Sequence, residues 1–332
     1  MNIKTVYIEI TNQCNFNCLT CYNASGLNNI SQELSIEQID SIVSLFSSYG
    51  ADRFLFAGGE PTLHSNFDHL LSWIKTRPDL SFGFVTNGSS NSESFIGLLN
   101  QAPNITLQIS LDGSCEEQNA KTRGIGNFDK AINFVKKIHN PHQKPLLKMV
   151  ISQNNVCDVE DFYKLALSLD CIPEFAFIYK SGNGKNHWED KIVSAQDKIK
   201  TLKLIEALNH KYQINAYIPR CDSICPLVKE TNQMSICVKV NGSIQPCQSL
   251  YDANYTLGNA LNFDFMETQK NITRICSLAQ RRIKTDYGCS KCIIKHICGR
   301  GCIAEAVHLT NDPLSNDENC NYRKLQYLKQ YI

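Results

Sequence analysis

From residue 5 to about residue 180, short runs rich in β-branched and aromatic residues alternate with stretches whose apolar positions recur every three or four residues. The runs Thr5–Thr11, Arg53–Ala57, Ser81–Thr86, Ile105–Leu111, Leu146–Ser152 and Glu174–Tyr179 predict strands. Helices are predicted between them. The clearest opens at Ser35, whose hydroxyl can cap the first turn while Gln38 reaches back, and Ile36, Ile39, Ile42, Val43 and Phe46 supply its apolar face. Phe67–Thr76, Ser92–Leu99, Phe128–Ile138 and Val159–Leu169 read similarly. Six strands alternating with helices imply an α/β fold with parallel pairing. Right-handed crossovers then allow an open doubly wound sheet or a curved partial barrel, and the pattern does not choose between them.

The pattern changes after residue 180. Ser181–Asp190 is turn-rich, and Ser194–Tyr212 predicts one long helix. Beyond it come short apolar runs, little helical period and many Gly, Asn and Asp turns, as expected of a small region organised by metal rather than by a large core. The expected division is therefore a core over residues 1–190, a linking helix region over 191–220 and a second domain over 221–332.

Composition narrows the function classes. With 33 basic and 32 acidic residues the net charge is +1, so no global field draws the chain to nucleic acid or an anionic membrane. No apolar run is long enough for a membrane span, and the opening MNIKTVYIEITNQC has neither a signal-peptide apolar region nor a cleavage site. A cytoplasmic location is expected. Sixteen cysteines among 332 residues are many for a reducing compartment, and they cluster at short spacings in two separated regions. That usage favours metal ligation over disulfides.

The first strand runs into TNQCNFNCLTCYN, which sets Cys14, Cys18 and Cys21 in a C-x3-C-x2-C array on one loop at a strand's carboxyl end. Ligand sites of α/β folds lie there. Three thiolates can hold three corners of an iron-sulfur cube and leave the fourth iron open for substrate. Zinc is the alternative. A structural zinc site wants a fourth Cys or His nearby, and the nearest histidine is His64.

This triplet, in this place, resembles the radical S-adenosylmethionine (SAM) superfamily, in which it follows the first strand of a partial (β/α)6 barrel. Further motifs agree in order. GGEP at Gly58, Gly59, Glu60 and Pro61 resembles the family's contact with the methionyl amino group, with Glu60 as an available acceptor. TNG at Thr86–Gly88 and SLDG at Ser110–Gly113 end the third and fourth strands where the family surrounds the nucleoside and carboxylate, making Asn87, Ser110 and Asp112 candidates. Arg123, in TRGIGNF, matches the arginine that pairs with the SAM carboxylate. One departure is visible. The residue before the third cysteine, usually aromatic in the family, is Thr20 here, and Tyr22 just after it is the aromatic candidate.

The C-terminal region carries GSIQPC at Gly242–Cys247, CSKCIIKHICGRGC at Cys289–Cys302, and Cys320. The array is similar to the SPASM extension of radical SAM enzymes, which binds two auxiliary 4Fe-4S clusters. The resemblance implies one cluster on Cys289, Cys292, Cys298 and Cys320, and another on Cys247 and Cys302 with two further ligands. Cys225 best fits the opening cysteine, Cys221 is next, and Cys237 lies in an apparent strand as possible core. Cys115, Cys157, Cys171 and Cys276 are left over, expected mostly as small buried hydrophobes.

The resemblance further implies SAM and three 4Fe-4S clusters as cofactors, and reductive cleavage of SAM to a 5′-deoxyadenosyl radical with hydrogen abstraction from substrate. The substrate would be a ribosomally made precursor peptide, and the outcome an oxidative C–C, C–O or thioether cross-link. A flavodoxin- or ferredoxin-type electron donor is implied. Cys14 stands so near the N-terminus that no leader-recognition domain is expected ahead of the barrel, and a separate recognition protein is the expected partner. Peptide epimerisation, tetrapyrrole decarboxylation and sulfatase maturation are alternatives within the family; for the last, the aspartate expected after Cys247 is Gln248. Outside enzymes, an iron-sulfur electron carrier or a zinc-stabilised binding module would also use clustered cysteines.

Overall fold

A computed structural model describes residues 3–27, 30–217, 225, 227, 234–286, 288–294 and 298–328. The six predicted strands all form: β1 Ile3–Thr11, β2 Arg53–Gly58, β3 Ser81–Thr86, β4 Ile105–Ser110, β5 Leu146–Ile151 and β6 Ile172–Phe177. Each pairs in parallel with the next. The sheet has the order β6-β5-β4-β3-β2-β1 and continues through β7 Met234–Val238, β8 Ser243–Gln245 and β9 Gly258–Asn259. From β1 to β6 the spatial order follows chain order, without the reversal that defines a doubly wound sheet. Right-handed crossovers then put the helices on one face and leave the other to curl inward as a partial barrel.

Side-chain burial follows that geometry. On β1, Val6, Ile8 and Ile10 are fully buried in the helix-side core while Thr5 and Tyr7 are half-buried. On β4, β5 and β6, buried and half-exposed positions alternate strictly. The outer core is densely aromatic: Phe84 and Phe95 meet edge to face at 4.9 Å, and Phe67 meets Phe95 at 5.1 Å. The inner face carries polar side chains, among them Lys148 paired with Glu174 at 2.9 Å.

The capping box at Ser35 and Gln38 forms, and Ile36–Ser47 buries the predicted face. The linking helix is Ala195–Tyr212, capped by Ser194. β6 begins two residues earlier than its pattern suggested, because Pro173 is tolerated on the strand that ends this side of the parallel array. Two helices differ from expectation. Glu116–Arg123 has an almost wholly polar sequence and buries Asn119, Thr122 and Arg123, so no apolar stripe marked it. Phe265–Lys284 is a helix of 20 residues where little helical period was read; Thr268 and Arg282 share its buried face with Ile272, Ile275 and Ala279, which blurs the stripe.

The region beyond residue 221 is joined to the core through the sheet itself. β7 pairs in parallel with β1, Val6 opposite Ile236 and Ile8 opposite Val238, and β8 and β9 then run antiparallel. Among the described residues no helix is long and apolar enough to cross a membrane.

Candidate active site

The loop after β1 is held from several sides at the carboxyl edge of the sheet. Gly59 N–H donates to Thr11 O at 2.8 Å and Glu60 N–H to Gln13 O at 2.7 Å. A Cβ on Gly58 would come within 2.1 Å of Thr11 O, and one on Gly59 within 1.9 Å of Gln13 O, so both glycines are needed for this approach. Below, Leu19 N–H donates to Thr122 O at 2.8 Å. From the loop after β6, Asn183 donates its backbone N–H to Cys21 O at 2.8 Å and its Nδ2 to Cys18 O at 2.9 Å. The buried Lys191 ammonium donates to the carbonyls of Leu19, Asn183 and Asn186. Neither Asn183 nor Lys191 was singled out from the sequence; the turn-rich stretch after β6 was the available signal.

Cys14, Cys18 and Cys21 gather at this place, near enough that each neighbouring thiol disfavours ionisation of Cys14, whose pKa burial has already pushed up to about 11. Nitrogen donors face the sulfurs. Phe16 N–H donates to Cys14 Sγ at 3.5 Å, Asn87 Nδ2 lies 4.0 Å from the same sulfur, and Arg123 Nη1 lies 3.9 Å from Cys18 Sγ. Three thiols on one loop, with N–H groups aimed at sulfur, suit an iron-sulfur cube with one iron left free of protein.

The other expected cofactor contacts divide into two kinds. Asn87 stands beside Cys14, and Ser110 is half-exposed on the inner face at the end of β4. Glu60 and Asp112, by contrast, are already engaged within the protein. Glu60 is buried and accepts from Thr62 N–H, Thr62 Oγ1, Thr86 Oγ1 and Asn87 N–H, tying the end of β2 to that of β3. Asp112 is fully enclosed. Its carboxylate accepts from Thr20 Oγ1, Thr122 Oγ1 and Val150 N–H, and stands 2.9 Å from Arg123 Nε. Its place is behind Arg123, which it orients. Tyr22 turns inward beside Glu9 and Cys237, with its phenol held protonated by burial. Pro61 is buried at the start of a short 3-10 turn.

The C-terminal thiols gather at two further places. Cys225, Cys247 and Cys302 are mutual neighbours, and burial raises the pKa of all three, Cys247 to about 11. Backbone N–H groups serve each sulfur: Leu227 and Ile303 for Cys225, Ser249 and Leu250 for Cys247, Glu305 for Cys302. Cys221 lies outside the described residues. Cys289, Cys292, Cys298 and Cys320 line one small pocket together with Arg323 and Lys324. Cys237 is buried on β7, on the inner face, and Cys171 is buried as expected; Cys115 and Cys157 are exposed, a departure explained by their positions at the start of a polar helix and in a short turn. Among the described residues no three Cys, His, Asp or Glu side chains are grouped so as to hold a single metal ion.

Two residues that no motif marked connect the core to the C-terminal region. Lys239, one residue past β7, donates to Glu9 Oε1 at 2.6 Å and to Asn23 Oδ1 at 3.1 Å, with its ammonium 5.1 Å from the ring centre of Tyr251. Tyr251 in turn donates its hydroxyl to Tyr22 O at 3.4 Å.

The chain is similar to known proteins in sequence and in fold. The chain is 28% identical over 191 residues to the mycofactocin maturase MftC of Mycolicibacterium smegmatis, a match spanning 57% of this chain and 48%, about half, of that protein. It is 24% identical over 322 residues to the mycofactocin maturase MftC of Mycobacterium tuberculosis, spanning 94% of this chain and 81% of the relative. In fold it is similar to Streptococcus suis SuiB bound to S-adenosylmethionine, with TM-score 0.76 and 16% identity over 96% of this chain and 77% of that one. Native anSMEcpe with bound AdoMet gives TM-score 0.76 and 19% identity over 98% of this chain and 97% of that one. Residues 8–166, the stretch that carries β1 to β5 and the cysteine loop, match the model of the radical SAM superfamily.

Proposed function

We propose that the chain is a radical SAM peptide maturase with two auxiliary clusters, acting oxidatively on a ribosomally made precursor peptide. The observation that carries this reading is the gathering of ten described cysteines at three places around one curled sheet, with nitrogen donors facing the sulfurs. An electron carrier or a zinc module has no need of the glycine approach at Gly58 and Gly59 or of Arg123. The similarity to MftC over 94% of the chain supports a peptide substrate, as does the fold shared with SuiB, which has been described bound to its precursor peptide SuiA.

Cys14, Cys18 and Cys21 would hold the SAM-binding cluster; Cys225, Cys247, Cys302 and Cys221 the first auxiliary cluster; and Cys289, Cys292, Cys298 and Cys320 the second. When bound, the first cluster and SAM supply one electron and a 5′-deoxyadenosyl radical. The protein's own contribution is placement. Arg123, set by Asp112, presents its guanidinium toward the cysteine loop, where it can pair with a carboxylate. Ser110 and Asn87 stand at strand ends where a nucleoside can be contacted. The inner-face groups Tyr7, Gln108, Lys148 and Glu174 offer polar contacts to a peptide in the curl of the sheet.

The test is anaerobic reconstitution followed by co-expression with short peptides encoded beside the gene. About twelve irons per chain and release of 5′-deoxyadenosine are expected, with a peptide lighter by two hydrogens. Epimerisation is a second reading, favoured by Cys237, whose buried thiol lies beside Glu9, Lys239 and Cys247. There the S–H bond would break as a substrate C–H bond forms, and an external reductant would return one electron and one proton to the sulfur. Deuterium uptake from solvent, with no other mass change, would mark that outcome.

A further inference from the structure

The two C-terminal thiol sites differ in which charged groups reach their sulfurs. Beside Cys302 lies Glu305, whose carboxyl pKa burial pushes up to about 8, and the buried Arg282 guanidinium stands near Cys225 and Cys302. Beside Cys298 and Cys320 lie cations. Arg323 is buried to 1% exposure and donates from Nε to Cys298 Sγ at 3.2 Å. Lys324 lines the same pocket and acts on Cys320.

Arg323 is also fixed in place. Its two terminal nitrogens donate to the Asp317 carboxylate, and Asp317 Oδ2 accepts the backbone N–H of Cys302 at 2.8 Å. A hydrogen-bonded path therefore runs from the Cys302 backbone through Asp317 and Arg323 to the Cys298 sulfur. Gly301, at φ +68°, makes room for it, since a Cβ there would stand 2.0 Å from Asp317 Oδ2. Asp317 offsets much of the guanidinium's net charge, but the N–H aimed at sulfur remains, and Lys324 adds a second positive charge at the same pocket.

Donors to cluster sulfur and nearby positive charge stabilise the more negative, reduced form of an iron-sulfur cluster. On the ligand assignment proposed above, we infer that Arg323 and Lys324 raise the reduction potential of the cluster on Cys289, Cys292, Cys298 and Cys320, here the outer auxiliary cluster, above the value it would have without them; the cluster at Cys225, Cys247 and Cys302 is the inner one. An electron added to this cluster is thereby held more tightly. Arg323 acts as a positioning and tuning residue: it touches a ligand sulfur and not the substrate.

The experiment is a redox titration of the full-length, reconstituted protein, followed by electron paramagnetic resonance, with iron counted in the same samples. A Cys289→Ala, Cys292→Ala variant identifies the signal of the outer cluster; if it loses no iron and no signal, the ligand assignment fails before the inference is reached. Given that signal, Arg323→Gln should move its midpoint to more negative potential, and Arg323→Lys should move it less. Lys324→Gln, at a partly exposed position, should also lower the midpoint and tests the idea should the Arg323 variants fail to fold. The inner auxiliary cluster should shift little. An outer midpoint unchanged in Lys324→Gln and in every folded Arg323 variant overturns the inference.

Discussion

Arg123 Nε lies 2.9 Å from Asp112 Oδ2, with the arginine 9% exposed and the aspartate fully enclosed. The pair binds the end of the polar helix Glu116–Arg123 to the end of β4, and Thr20 and Thr122 complete the carboxylate's shell. Replacing Asp112 by Ala leaves a buried guanidinium uncompensated, so Asp112→Ala should cost about 3–5 kcal/mol of stability. Urea unfolding of the chain would measure it. A loss below about 1 kcal/mol would show that Arg123 finds another partner.

Cys18 is the most buried of the three loop thiols and faces Arg123. Cys18→Ala should remove about four irons per chain on reconstitution and abolish 5′-deoxyadenosine release, leaving the two C-terminal clusters in place. Iron analysis and chromatography of the reaction mixture check both halves. Unchanged iron with unchanged release would contradict the site.

The glycine approach can be tested without touching a thiol. In Gly59→Ala the added methyl meets Gln13 O, a backbone atom, so the loop itself must move. A destabilisation of about 1–3 kcal/mol is expected, together with weaker SAM binding by calorimetry. Gly97→Ala is the control, because a Cβ there meets nothing within 4 Å.

Lys239 neutralises Glu9, which is 4% exposed, from the far side of the chain. Lys239→Ala should destabilise by about 3–5 kcal/mol because the carboxylate stays buried without its cation. Hydrogen exchange should speed up across 234–259 and the cysteine loop, which Asn23 links to the same ammonium. In the double variant Glu9→Gln, Lys239→Met, much of the loss should be recovered. Full persistence of the loss would mean that the pair matters only through its packing.

The local parts of this architecture were legible in the linear pattern. Alternation along β4 and β5 and the capping box at Ser35 depend on near neighbours, and both reappear in the fold. The helix Glu116–Arg123 was not legible, because its buried residues are polar and become buried only when Thr20 and Asp112 close over them. Phe265–Lys284 was obscured by Arg282, a charged residue on its inner face whose carbonyl partners, Gly301 and Ser315, lie beyond the helix.

Sequence alone therefore marked the six strands of the parallel array, the short cysteine spacings, and the superfamily the ordered motifs resemble. Tertiary structure decided that the sheet curls instead of reversing, that Glu60 and Asp112 face inward, and that Lys239 reaches Glu9 across 230 residues of chain. The reason is physical. Period and spacing are properties of neighbours along the backbone, whereas the partner of a buried charge depends on what folding brings beside it, and desolvation makes that partner decisive.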